Sequence, residues 1–178
     1  MWIDERKAGR TRGVLSPGSV LVTSRHQNAV FLIDWKTGGL LWWWGRGELD
    51  GPHDAHVLES GRILLFDNGL ARGWSRVIEV DPRTGKIVWE YRGDPSESFF
   101  TRSRGACQCL ANGNTLITES ARGRVFEVTP SGRVVWEFFN PHEDPLQKER
   151  GTIGRMVELD PALAARLEGS DEPGDRHR

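Results

Sequence analysis

Trp42, Trp89 and Trp136 follow one another at intervals of 47 residues, and each closes the same short pattern. The three copies run from Val30 to Trp42, Val77 to Trp89 and Val125 to Trp136. In each, a β-branched or aromatic run meets a polar turn containing Gly38, Gly85 or Gly132, and a second run then ends in tryptophan. Glycine takes a positive φ at little steric cost, so the pattern predicts three hairpins, the third with a turn one residue shorter. An interval of this size lies within the range of propeller blades.

Ahead of each hairpin stands a further strand pattern, Gly18 to Ser24, Gly61 to Asp67 and Gly113 to Glu119. In the second and third repeats a short run precedes it, His53 to Leu58 and Gly105 to Leu110, joined through Glu59-Ser-Gly61 and Ala111-Asn-Gly113. Four strands per repeat make one antiparallel blade. The expected class is therefore all-β, with three four-stranded antiparallel β-propeller blades over about 18–50, 51–98 and 99–141. The first repeat lacks a clear first strand, since Arg10 to Leu15 is a poor substitute, and residues 1–17 match nothing in the repeat. Residues 142–178 form a C-terminal extension in which Pro161 to Leu167 is read as a short helix and 170–178 as a disordered tail. Three blades do not close a ring. The expected remedies are a second copy in a homodimer, further upstream sequence, or an open stack with covered edges.

Charge narrows the partners. The 24 Lys and Arg and 25 Asp and Glu are scattered in sign, so neither nucleic acid nor a membrane surface is expected as a partner. No apolar stretch reaches the ~20 residues of a membrane helix, and Met1 to Lys7 lacks the apolar core of a signal peptide. As written, the chain is expected in the cytoplasm. Cys107 and Cys109, two apart on a strand, are read as packing residues; no second cysteine pair completes a zinc site, and neither metal nor cofactor is expected.

In a propeller, loops at one mouth of the central channel collect functional residues. Three segments should reach that mouth: Ser24-Arg25-His26-Gln27-Asn28, Gly51 to His56, and Arg102 to Gly105. His26 and His53 stand at matching mouths of neighbouring blades. Imidazole serves as nucleophile or general acid and base near neutral pH, and guanidinium holds sulfate or phosphate oxygens, so an anionic substrate is indicated. Arg76 and Arg104 are the candidates to clamp the anion, with a blade-to-blade ion pair as the structural alternative. Asp67 or Asn68, in the turn Phe66-Asp67-Asn68-Gly69, is placed to orient an imidazole or meet substrate. On a regular strand His56 falls on the face opposite His53 and is read as structural. Of the run Trp42-Trp43-Trp44, the outer two rings are expected between blades and the middle one exposed or at a chain contact.

The ordered set of Ser24-Arg25-His26-Gln27, an aspartate-turn-glycine-tryptophan hairpin, His53 and Phe66-Asp67-Asn68-Gly69 resembles the bacterial arylsulfate sulfotransferases. Ser75-Arg76-Val77, Arg104 to Gln108 and Asn112 to Ser120 extend the likeness over Gly18 to Pro141. The resemblance implies half of a six-bladed ring, and an enzyme moving a sulfuryl group from an aryl sulfate to a phenol with no nucleotide donor. His53 matches the histidine that becomes transiently sulfated, and His26 a second active-site histidine. Arg76 matches a family arginine. Relatives are usually exported, and their upstream blades have no counterpart before Gly18. Three other readings remain open: a noncatalytic propeller binding module, an inactive fragment of that family, and the blades of a quinone-cofactor dehydrogenase, whose tryptophan repeats Asp81 to Trp89 also resembles.

Overall fold

The computed structural model describes residues 1–11, 13–144 and 149–168. Three four-stranded sheets follow one another along the chain. Blade one holds β1 (Trp2–Ile3), β2 (Ser19–Ser24), β3 (Ala29–Asp34) and β4 (Leu40–Trp44). Blade two holds β5 (Pro52–Val57), β6 (Ile63–Asp67), β7 (Arg76–Asp81) and β8 (Lys86–Arg92), and blade three β9 (Ala106–Cys109), β10 (Thr115–Glu119), β11 (Arg124–Val128) and β12 (Val134–Phe139). Each sheet is an antiparallel meander in chain order, the architecture of propeller blades. No described helix is long and apolar enough to cross a membrane.

The first blade corrects one expectation. Its innermost strand is Trp2–Ile3, which pairs antiparallel with Val20 and Ser19. Two residues are too few to show alternation, and α1 (Glu5–Arg10), capped by the Asp4 carboxylate on Lys7 N–H at 2.8 Å, separates them from β2. The three hairpin glycines adopt the positive φ their turns require, at 71°, 68° and 82° for Gly38, Gly85 and Gly132. The repeat also extends to a defect. In all three blades the outermost pair slips by one residue just before the tryptophan, leaving Leu41, Val88 and Val135 as bulges.

Alternation assigns each face. Val30, Leu32, Trp42 and Trp44 of blade one meet Ile63, Leu65, Ile78 and Val80 of blade two in one apolar core. The opposite face of blade two, with Leu64, Phe66, Val77 and Tyr91, meets Cys107, Ile117, Phe126 and Val128 of blade three in a second. Blades are also tied by indoles. Trp44 Nε1 donates to Gly85 O at 2.9 Å and Trp89 Nε1 to Pro130 O at 2.8 Å, so each outer strand holds the outer turn of the next blade. Trp42 and Trp44 pack against the first core as expected of the outer rings, whereas Trp43 is 49% exposed on the other face.

Past the blades, β13 (Glu143–Asp144) and β14 (Glu149–Arg150) form a small hairpin, and α2 spans Pro161–Glu168. Proline at its first position and Asp160, which accepts from Ala162 N–H at 2.9 Å, start that helix. The expected tail, 170–178, lies outside the described residues. Between hairpin and helix the chain straps the far face of blade three. Ile153 and Met156 cover Leu110, Leu116 and Val125, while Gln108 and Glu158 exchange two hydrogen bonds.

Gly105, at the entrance to β9, packs directly on the second core. Its φ is +100°, and a Cβ there would lie 2.7 Å from the Phe66 ring. Gly105→Ala should therefore lower stability by about 1–3 kcal/mol, read as a fall in the denaturation midpoint. The matching change at Gly113, whose added Cβ meets nothing within 4 Å, should show only the strain of its positive φ.

Candidate functional site

The mouth of the three blades is assembled by side chains that cross from one loop to the next. Asn28, in the turn after β2, accepts the Gly51 N–H at 2.9 Å and so fixes the start of β5. Arg25 of the same turn donates to the Arg102 carbonyl at 3.4 Å. Asn68 Nδ2 donates to the carbonyls of Thr101 at 2.8 Å and Arg104 at 2.9 Å. The three segments singled out in the sequence are thereby brought to one end. His26 is exposed within the first of them.

His53 is half-buried at the start of β5, with Nδ1 3.0 Å from Gly51 O and 2.7 Å from Asn68 Oδ1. The hydrogen bonds fix its protonation pattern. Both hydrogens of the Asn68 amide face carbonyl oxygens, so its Oδ1 must face the ring, and Gly51 O is likewise an acceptor only. Nδ1 therefore carries the proton in neutral His53 and Nε2 keeps its lone pair, with no hydrogen-bond partner among the described residues. This is the tautomer that a nucleophilic imidazole needs.

Asn68 is placed for the orienting role. It is fully buried, and its amide and carbonyl are held by His53, Thr101, Arg104 and Ser75. Its place is behind the imidazole.

Arg76 is likewise engaged elsewhere. Its Nε lies 2.8 Å from Asp67, Nη1 3.0 Å from Glu90, and Nη2 donates to Glu48 O at 2.8 Å. Burial alone would lower its pKa, but the bonds and charges of Asp67 and Glu90 raise it, so the guanidinium is a permanent cation. The same device recurs in blade three, where Glu119 is fully buried opposite Arg124 at 3.3 Å. Arg76 is thus the cation of a repeated strand tie, with Nε, Nη1 and Nη2 each bonded within the protein. Arg104 remains exposed, with a backbone φ of 62° and one bond from Nη1 to Thr152 Oγ1 at 3.2 Å.

One feature escapes regular-strand reasoning. Strand β5 bulges between His53 and His56, since His53 opposes Phe66 while His56 opposes Leu64, and Asp54 takes φ +53°. The extra residue turns His56 onto the face that His53 occupies, the side toward blade three. No glycine marks the bulge in the sequence.

The family model described as Arylsulfotransferase (ASST) matches residues 14–141. A quinoprotein ethanol dehydrogenase from Pseudomonas putida is 25% identical over 162 residues, covering 89% of this chain and 22% of that protein. The chain thus spans under a quarter of that relative's length. Among solved structures, a protein of unknown function from Bacteroides caccae superposes with a TM-score of 0.51 at 19% identity, over 68% of this chain and 42% of that one. Virginiamycin B lyase from Staphylococcus aureus gives 0.49 at 22% identity, over 69% and 38%.

Proposed function

Because the chain belongs to the arylsulfotransferase family, we propose that it transfers a sulfuryl group from an aryl sulfate ester to a phenol through a sulfohistidine at His53. The observation that carries this reading is the His53 tautomer, with Nδ1–H held by Gly51 and Asn68 and the Nε2 lone pair unengaged. In the first half-reaction Nε2 attacks sulfur, the bond from sulfur to the aryl oxygen breaks, and the phenolate leaves with the electron pair. In the second, the acceptor phenol oxygen attacks the same sulfur, the N–S bond breaks and the pair returns to Nε2. The proton given to the departing phenolate and taken from the incoming phenol is assigned to His26, exposed at the same mouth.

Arg104 is the proposed anion contact, with its exposed guanidinium aimed at sulfuryl oxygens. One well-placed donor of this kind lowers such a barrier by about 3 kcal/mol. Asn68 is a positioning residue. A ring of six needs three further blades, and a second copy of this chain is their proposed source. Light scattering reads this directly: twice the chain mass supports it, and a monomer that still turns over sinks the dimer.

The test of the chemistry is intact-mass spectrometry after mixing protein with a chromogenic aryl sulfate and no acceptor. One sulfuryl adduct, mapped to the peptide containing His53 and discharged by added phenol, is expected. If phenol is not released and no adduct forms, the transferase reading fails and a noncatalytic ligand-binding propeller takes its place.

A further inference from the structure

Away from His53, the bulge in β5 creates a second cluster of chemistry-bearing groups. Asp54, His56 and Cys107 bring a carboxylate oxygen, a ring nitrogen and a sulfur within 4.8 Å of one another, at the seam between blades two and three. Tetrahedral zinc sets ligand atoms roughly 3.3–3.8 Å apart, so closing the three onto one ion takes shifts of about 1 Å.

Each group is prepared from behind. His56 Nδ1 lies 3.1 Å from the Asp54 carbonyl, an acceptor only, so Nδ1 holds the proton and the Nε2 lone pair is left without a hydrogen-bond partner among the described residues. A ring N–H anchored on a backbone carbonyl is the usual support of a metal-bound histidine. Asp54 Oδ2 accepts the Cys107 N–H at 3.0 Å, which aims the carboxylate across the seam toward β9. The Cys107 thiol is buried, and its sulfur has no hydrogen-bond partner among the described residues. Asp54 takes a left-handed φ of +53° within the bulge that brings His56 onto this face.

We propose that Asp54, His56 and Cys107 bind a zinc-class divalent cation that clips blade two to blade three. The donor set of thiolate, imidazole and carboxylate suits zinc, and three protein ligands leave a fourth position open. Asp54 and His56 also line a cavity of about 540 Å³, together with Met1, Thr23 and Arg155 among others. Arg155 is the competing cation. It pairs with Asp54 Oδ1 at 3.2 Å from an exposed position in the C-terminal strap, so metal entry displaces it. The ion and the strap then contend for one carboxylate. This site is independent of sulfuryl transfer.

The full chain, freed of metal with a chelator, is titrated with cobalt(II) and followed by absorbance, with zinc added as competitor. One equivalent should produce visible ligand-field bands and a near-ultraviolet thiolate-to-cobalt band, all removed by zinc. Cys107→Ser should abolish the thiolate band and His56→Gln weaken binding more than about 100-fold, with folding checked by circular dichroism. Cys109→Ser, which alters the thiol outside the cluster, should leave the titration unchanged, and Arg155→Ala should tighten it severalfold. Wild-type protein without a thiolate band, or a band that survives Cys107→Ser, overturns the assignment.

Discussion

Cutting Phe99 back to alanine should lower the stability of the protein by about 3–5 kcal/mol, a large part of the 5–15 kcal/mol that holds a typical domain folded. Phe99 belongs to no strand. It follows a short 3-10 turn at Ser96–Ser98 and enters the seam between blades two and three, where it is fully buried. Its ring centroid stands 5.5 Å from those of Phe66, Tyr91 and Phe126, edge-on to the first and last. Truncation would therefore open a hole bounded by rings on both blades, which rigid sheets cannot collapse to fill. Its carbonyl also accepts from Ser75 N–H at 2.8 Å, so the loop is pinned next to the mouth. Urea unfolding should show the midpoint falling with little change in slope. Phe138→Ala, at a ring 37% exposed on β12, serves as the contrast and should lose less than about 1 kcal/mol. Equal losses at the two sites would mean that Phe99 does not bridge the blades.

The second large effect is chemical. His53→Ala should reduce sulfuryl transfer by at least about 10³-fold and abolish the covalent adduct, because it removes the imidazole whose Nδ1–H is held by both Gly51 and Asn68 and whose Nε2 attacks sulfur. Asn68→Ala separates orientation from nucleophilicity. It leaves Nε2 in place but removes the oxygen 2.7 Å from Nδ1, so that Gly51 O is left as the anchor of Nδ1–H and the ring's tautomer and angle are less firmly held. Turnover should fall about 10²- to 10⁴-fold with KM changed far less, as expected when a group fixing the tautomer of a catalytic histidine is lost. A variant that raised KM alone would place Asn68 in substrate binding and refute the positioning role.

The hairpins were legible because two signals coincided in each copy, alternation along the strands and a glycine where positive φ was needed. The tryptophan interval then disclosed the blade. The mouth was legible as a set of loops, since strand order puts the turns after β2 and before β5 and β9 at one end. What each mouth residue does was harder to read. Arg76 and Asn68 both stand in motifs that suit an anion site. Their true partners, Asp67 with Glu90 and Thr101 with Arg104, are set by sheet register and by a loop from the next blade. Strand β1 was missed because Trp2–Ile3 is defined only by pairing with β2 across an intervening helix. The bulge at Asp54 was missed because an aspartate in left-handed backbone leaves no mark, and with it went the true face of His56. Phe99 stood in a stretch without periodicity and was passed over.

The strap laid over blade three gives the stack a direction. At the blade-one end, Val20, Val22, Phe31 and Trp43 lie on the face turned away from blade two, beside a cavity of about 320 Å³ lined in part by Phe31, Leu40 and Trp43. At the other end the equivalent surface is already partly occupied. A newcomer there must first unseat Ile153 and Met156 and part Gln108 from Glu158. If the proposed second copy adds to this stack, it can dock directly on the blade-one face, whereas at the blade-three end it docks only after the strap melts locally. Truncating the strap should accelerate the slow step without touching the fast one.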